Sequence, residues 1–319
     1  MKVQIKGQHD QAANSGSATV TMAPIAFKRG GRQPAGLSPA LGAGAPPLEG
    51  AVAVDGTVRW AKNVLSPNLT LRLKDLAFAA AGAQVSALNG NLRFTKLWPP
   101  VTAADQALSA TVQSGGETAK VKLAGQLTAK PALRLSKLEV GAAGGTIAAS
   151  PFMVDTGKAK IETVLTVTGV ELAEITRIIG IGGLSGTGQL DGTIPLTLAD
   201  GKVAIAGGKL AARGPGLLSF RPDNLPPQIA QAGDDVDLML RVLGGFHYER
   251  LSLGLDKGIN GEGTVLLALE GRNPEVAADQ PYNFNIRIDS NFDRLAEYAL
   301  LSLTSAQELL DRAARSAGR

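Results

Sequence analysis

The sequence predicts a mainly β protein: an elongated, strongly twisted, mostly antiparallel sheet, with a few short helices in its C-terminal half. Three observations carry this reading. In residues 188–198 the apolar side chains Leu190, Ile194, Leu196 and Leu198 fall on even positions and Gln189, Asp191, Thr193 and Thr197 on odd ones, the period of a strand with one oily and one wet face. Comparable runs return every roughly 10 to 15 residues with turn signals between them, which is the spacing of a meander. The 319 residues include 39 glycines and 44% apolar residues but only 4% aromatics, so the apolar surface is built from Leu, Val, Ile and Ala.

In chain order, the opening MKVQIKGQHD has an amphipathic strand pattern and lacks the apolar stretch of a signal peptide. Residues 17–27 form a Thr-rich apolar strand, and the Gly, Pro and Ala of residues 28–50 predict an exposed irregular loop. Val52, Val54 and Val58 then alternate with Asp55, Thr57 and Arg59. Leu69, Leu71 and Leu73 follow, with a phase shift before Leu76 and Phe78. Asn89-Gly90 permits either a tight turn or one strand running through residues 85–94.

Beyond Trp98-Pro99-Pro100 the pattern resumes with Val121, Leu123 and Leu127, then Leu133 and Leu135, then Ile161, Leu165 and Val167. Pro195 removes a backbone donor from its strand, which predicts an edge or a bulge there. Gly207-Gly208 predicts a second bulge, re-phasing the strand that carries Val203, Ile205 and Leu210. Short helices are expected over Glu171–Ile179, from an Asp234 or Asp235 cap through Leu243, over Phe292–Leu300 after Asn291, and over the last 16 residues. These readings divide the chain into residues 1–170, a groove-type β-repeat segment, and 171–319, a β module with short helices.

The absence of cysteine excludes disulfides and thiolate chemistry. A net charge of +4 spread singly along strands, with few aromatics, gives no case for nucleic acid. No run of about 18 apolar residues marks a membrane-spanning helix. His247 has no nucleophile or second ligand at useful spacing and reads as packing. Gly180-Ile181-Gly182-Gly183 follows a helix pattern, not a strand, so it is no dinucleotide loop, and Leu210 stands where a phosphate loop after Gly208-Lys209 needs Ser or Thr. Asp234, Asp235 and Asp237 fit helix capping better than calcium. No catalytic residue, metal site or cofactor is expected, and acids placed one per strand argue against a glycan-cleaving pair.

The alternating sets leave two structures open: a sandwich whose two faces fill each other, or an open sheet. Two blocks decide between them by resemblance. Gly183-Leu184-Ser185-Gly186-Thr187-Gly188, Leu190 to Leu196, Gly208-Lys209-Leu210 and Gly214-Pro215-Gly216 form the first. Phe246-His247-Tyr248-Glu249-Arg250-Leu251, Leu269 to Pro274, and Phe284-Asn285 to Asp293 form the second. Together they resemble the C-terminal region of YdbH-like proteins, within the AsmA-like, TamB-related group of bacterial bridge-type lipid transporters. The resemblance is good over residues 172–300; upstream only the strand style matches.

That resemblance implies a sheet curled into an open hydrophobic groove, a β-taco, that passes phospholipids between inner and outer membranes. It further implies a periplasmic location, an N-terminal inner-membrane anchor outside this chain, a small outer-membrane lipoprotein at the C-terminal end, and no enzymatic activity. The residues expected to line the groove are Val52, Val54, Val58, Leu69, Leu71, Leu73, Val121, Leu123, Leu127, Leu133, Leu135, Ile161, Leu165, Val167, Leu190, Ile194, Leu196, Leu198, Val203, Ile205, Leu251, Leu253, Leu255, Val265, Leu267, Leu269, Phe284, Ile286 and Ile288. The competing expectation is a periplasmic scaffold that binds other strands at an exposed sheet edge.

Overall fold

A computed structural model describes residues 2–37, 46–80, 82–114, 116–129, 132–155, 160–179, 181–199, 201–222, 233–277 and 279–291. The expected helices over 292–300 and the last 16 residues lie outside these, as does part of the 28–50 loop. Among the described residues the chain is mainly β, with nineteen strands and two short α-helices. Packing separates the described residues into two units: residues up to 140 with 150–161, and residues 141–149 with 162–291.

In the first unit, β1 (Val3–Asp10), β2 (Ser15–Phe27), β3 (Glu49–Ala61), β4 (Val64–Ala80) and β5 (Ala83–Leu97) pair antiparallel in sequence order. The short β6 (Pro100–Thr102) folds back on the end of β5, whose first half pairs with β7 (Gln106–Ser114), and β8 (Glu117–Leu127) follows β7. Beside β8 runs β9 (Ala132–Ala142), where Ser136 Oγ donates to the Ala124 carbonyl at 3.2 Å. The sheet is an open antiparallel meander.

In the second unit, β10 (Gly145–Ala149) pairs with β12 (Lys160–Glu171); between them in sequence lies β11 (Phe152–Asp155), which pairs with β9 in the first unit. Helix α1 (Leu172–Ile179) and β13 (Leu184–Gly186) lead to β14 (Gln189–Ala199) and β15 (Lys202–Ala212), an antiparallel hairpin. Then come β16 (Gly216–Phe220), α2 (Asp234–Leu243), β17 (Phe246–Lys257), β18 (Glu262–Arg272) and β19 (Tyr282–Asn291). The second half of β17 pairs with β15 and its first half with β16, which also holds β13. β17, β18 and β19 complete the antiparallel run.

The local signals act where they were expected. The β14–β15 register shifts between Thr193 and Leu196, at Pro195, and the β15–β17 register shifts between Ile205 and Gly208, where Gly207 has φ +68°. The phase change in β4 falls at Asp75, with shifts on both sides of Leu76. Asn89-Gly90 is not a turn: one strand, β5, passes through it. Gly90 has φ +152° and lacks the Cβ that would strike Leu108 and Ala107 on β7.

One expectation at α2 needs correction. Its N-cap is Gly233, and no side chain caps it; Asp234, Asp235 and Asp237 sit in the first turn, where their charge suits the positive end of the helix dipole. The other end is tied down. Ser219 Oγ donates to the Gly244 carbonyl at 2.8 Å, as does Arg221 Nε, while Asn273 Nδ2 donates to the Arg241 and Val242 carbonyls at 3.2 and 2.9 Å. These bonds use helix-end carbonyls that would otherwise lack partners.

The polar side of each sheet is laced by cross-strand ion pairs. Arg72 holds the Asp55 carboxyl below the usual carboxylate range through a 2.6 Å hydrogen bond. Arg213 does the same for Asp191, helped by the Gly169 backbone N–H. A depressed carboxyl contributes stability that is whole above its unfolded pKa, about 4, and is lost as pH falls through the lower folded value. The pairs are surface-exposed, so each effect is small. We expect the acid limb of a pH–stability curve to begin below about pH 4 and to flatten in the D55N/D191N double variant; an unchanged limb counts against these pairs.

Candidate functional site

Strand register decides which side chains share a face. In the first unit Val54 on β3 lies opposite Met22 on β2 and Leu71 on β4, and Leu71 lies opposite Leu92 on β5. The next row joins Val52, Leu73, Gly90, Leu108 and Leu123 across β3, β4, β5, β7 and β8. Leu69 pairs with Phe94, Val58 with Ala18 and Pro67, and Val121 with Ala110. The opposite face carries Asp55, Thr57, Thr70, Asn68, Thr111, Lys120 and Lys122. One face is therefore apolar across six neighbouring strands, β2, β3, β4, β5, β7 and β8.

The burial of this face is unusual for a β protein. β3 has hydrogen-bonded neighbours on both sides, yet none of its residues is buried; Val52, Val54 and Val58 are half-buried, as are Leu69, Leu71 and Leu73 on β4. In a two-layer sandwich the inward residues of a central strand are covered by the facing layer. β12, in the other unit, shows that covered pattern, with Leu165 and Val167 buried in strict alternation with exposed residues. Towards the β8–β9 side the first unit's face becomes covered: Val121 and Leu135 are buried, Leu123, Leu127 and Leu133 half-buried, and Leu135 and Leu133 pair with Phe152 and Val154 on β11. Ile161 is buried as well.

In the second unit the rows run across five strands. Leu210, Leu253, Leu267 and Ile286 form one from β15 to β19; Leu255, Val265 and Ile288 form the next; Leu251, Leu269 and Phe284 lie on the other side of the first. Leu196 and Ile205 pair on the β14–β15 hairpin, as do Leu198 and Val203. Access changes along these rows. Leu251 and Leu269 are buried, Leu253, Leu255, Val265, Leu267, Phe284 and Ile286 half-buried, and Ile288 exposed.

The buried end has an identifiable plug. Val242 and Leu243 of α2, with Phe246 and Tyr248 at the start of β17, pack with Val167, Leu190, Leu251 and Leu269 into one core. Phe246 meets Phe284 edge to face at 5.3 Å, and the Tyr248 hydroxyl donates to the Thr187 carbonyl at 2.6 Å, with burial raising its pKa. Ile194, Leu253, Leu255, Leu267 and Ile286 pack against the border of that core. On the β14–β15 hairpin Leu196, Leu198 and Val203 are buried, and Lys257 Nζ donates to the Val203 carbonyl at 2.9 Å.

Some members of these faces are not among the residues expected to line the groove. Met22, Leu92, Phe94, Leu108 and Leu210 belong to the same rows and carry the same alternation. The plugging role of Val242, Leu243 and Phe246 had no signal of its own, because a short amphipathic helix does not announce what it covers. Among the described residues no group of three or more His, Asp or Glu side chains is positioned to hold a metal ion, and no helix is long and apolar enough to cross a membrane.

No curated protein and no solved structure matches this chain. A family model described as YdbH-like, intermembrane phospholipid transport protein YdbH, matches residues 1–302. The match reaches well upstream of the 172–300 stretch whose motifs carry the resemblance, and it takes in the sheets of both units. The family is one of lipid transporters and not an enzyme family. On that match, extending over nearly all of the sequence, the chain belongs to the YdbH-like family of intermembrane phospholipid transport proteins.

Proposed function

We propose that this chain is a non-enzymatic segment of a lipid-transfer bridge, and that its apolar faces form a groove holding the acyl chains of phospholipids as they pass between bacterial inner and outer membranes. The observation that supports this most directly is β3, a central strand whose apolar side is left half-open on a sheet of aliphatic rows. Water is a poor neighbour for such a continuous apolar face, and in soluble proteins a large one marks a surface that binds something. A bare 16-carbon chain crossing water faces a barrier of about 12 kcal/mol. Within a row, apolar positions repeat about every 4.8 Å, one per strand, and let it move in small steps between nearly equivalent sites. The Thr, Asn and Lys face keeps the other side in water.

In this reading the half-buried positions, from Val52 to Leu73 in the first unit and Leu253, Leu255, Val265, Leu267 and Ile286 in the second, touch lipid. The buried ones, such as Leu190, Leu251 and Leu269, form the floor and the plug that hold the face in shape. The protein works in the periplasm, tethered to the inner membrane by a segment outside this chain, and a small outer-membrane lipoprotein joins at the C-terminal end. A second reading, a scaffold acting by strand augmentation, has one observation in its favour: β1 is exposed along its whole length and pairs with β2.

Native mass spectrometry with lipid extraction of the purified chain separates the two. Copurified phospholipid, released by delipidation and restored by adding it back, is the expected result. A stable, monomeric, lipid-free chain that takes up no added phospholipid sinks the groove and leaves strand augmentation.

A further inference from the structure

Three turns of the first unit meet at one end of its sheet. The β1–β2 turn follows Asp10, the β3–β4 turn is Lys62-Asn63 and the β5–β6 turn is Trp98-Pro99; the pairings Ser15 with Ala61, Ala61 with Val64, and Leu69 with Phe94 bring them side by side. This end carries most of the exposed large apolar side chains of the unit among the described residues: Val64 is 64% accessible, Leu65 55%, Leu97 42% and Trp98 66%. Behind them Trp60 is held rigid, stacked on His9 and donating Nε1–H to His9 Nδ1 at 3.1 Å.

Two features identify what such a tip meets. Leu65 lies on the Trp60 side of the sheet and Val64 on the opposite side, so the tip is apolar all round, which suits immersion better than docking on one protein surface. Exposed cations surround it: Arg59, Lys62 and Lys96, against Asp10, whose carboxylate accepts the Ala13 N–H. Exposed Trp and Leu with a collar of Lys and Arg match the depth profile of an anionic bilayer surface, with rings at the headgroup level and ammonium groups among the phosphates.

We propose that this end of the first unit seats in the interface of a membrane containing anionic phospholipid, Trp98, Leu97, Leu65 and Val64 entering it and Lys62 and Lys96 binding headgroup phosphates. The inference deepens the lipid-transfer reading by naming a surface through which the protein meets a bilayer. It rests on that reading only for the choice of lipid as partner.

The test is vesicle co-sedimentation of the full chain with phosphatidylcholine alone and with a two-to-one mixture of phosphatidylcholine and phosphatidylglycerol. Binding to the mixed vesicles, weakened by salt, with a blue shift of tryptophan emission, is expected. Removing each cation in K62S and K96S should weaken binding about fivefold, and both together about thirtyfold. The L65S/W98S double variant should abolish the blue shift with an unchanged circular dichroism spectrum, since both side chains are exposed. Binding that survives L65S/W98S and K62S/K96S overturns the proposal. So does a chain whose concentration-dependent dimerisation, and not its vesicle binding, depends on Trp98. Copurified lipid is measured in the same samples: vesicle binding without cargo overturns the groove and not this surface, and cargo without vesicle binding does the reverse.

Discussion

Leu71→Asp is expected to strip copurifying phospholipid from the chain while leaving it folded. Leu71 sits mid-strand in the row Val54–Leu71–Leu92, half-buried on a face with strands on both sides. A carboxylate among acyl chains costs about 3 kcal/mol at hydrocarbon depth, which is roughly a hundredfold in occupancy. The cost to the fold is smaller, because a half-open position lets the carboxylate keep much of its water. Thr57→Asp, on the opposite face of the neighbouring strand, serves as the control and should leave lipid unchanged. The same substitution at Leu269, 1% exposed in the plugged core, should instead unfold the second unit. Wild-type lipid content in folded L71D would mean that this face is not where phospholipid rides.

The architecture was legible because its rules are local. Strict alternation at Leu190 to Leu198 and at Leu69 to Leu73 gave the strands, Pro195 and Gly207 their bulges, and the periodic Leu172, Ile175 and Ile178 the first helix. What escaped was pairwise. Alternation puts Val265, Leu267 and Leu269 on one face and Leu266 on the other, but that Leu267 lies opposite Leu253 and Ile286, and Leu266, 47% exposed, opposite Arg287, follows only from the β17–β18–β19 register. The ambiguity at Asn89-Gly90 was of the same kind, since only the approach of β7 shows why the glycine sits in a continuous strand.

The extent of the family was also under-read. Motifs rich in Gly, Pro and aromatics, as at Gly214-Pro215-Gly216 and Phe246-His247-Tyr248, are distinctive, whereas Leu and Val repeats upstream of Leu172 resemble any amphipathic sheet. The family match nevertheless covers both. The difference between an open and a covered face lies deeper still: β3 and β12 alternate equally well in sequence, yet only β12 has its apolar residues buried. Alternation reports that a strand has two faces and is silent on what lies above them.

That silence gives Phe246 its weight, because whether the second unit's face is stopped by protein depends on this ring more than on any other. It is fully buried, meets Phe284 edge to face, and joins Val242 and Leu243 of α2 to Leu251 and Leu269 of the sheet. Phe246→Ala is expected to cost about 3–5 kcal/mol, the range for a large aromatic replaced in a packed core. The loss should be read as a lower denaturant midpoint for the transition in which β17 and β18 amides exchange. Tyr248→Phe, which only removes the donor to the Thr187 carbonyl, should cost about 1 kcal/mol by comparison. If the plug also bounds the lipid path, F246A at a temperature where it stays folded should gain phospholipid, since the cavity extends the row Leu251–Leu269 that the ring now covers. Loss of stability without gain of lipid would make Phe246 a core residue and nothing more, with the lipid path ending short of the row it covers.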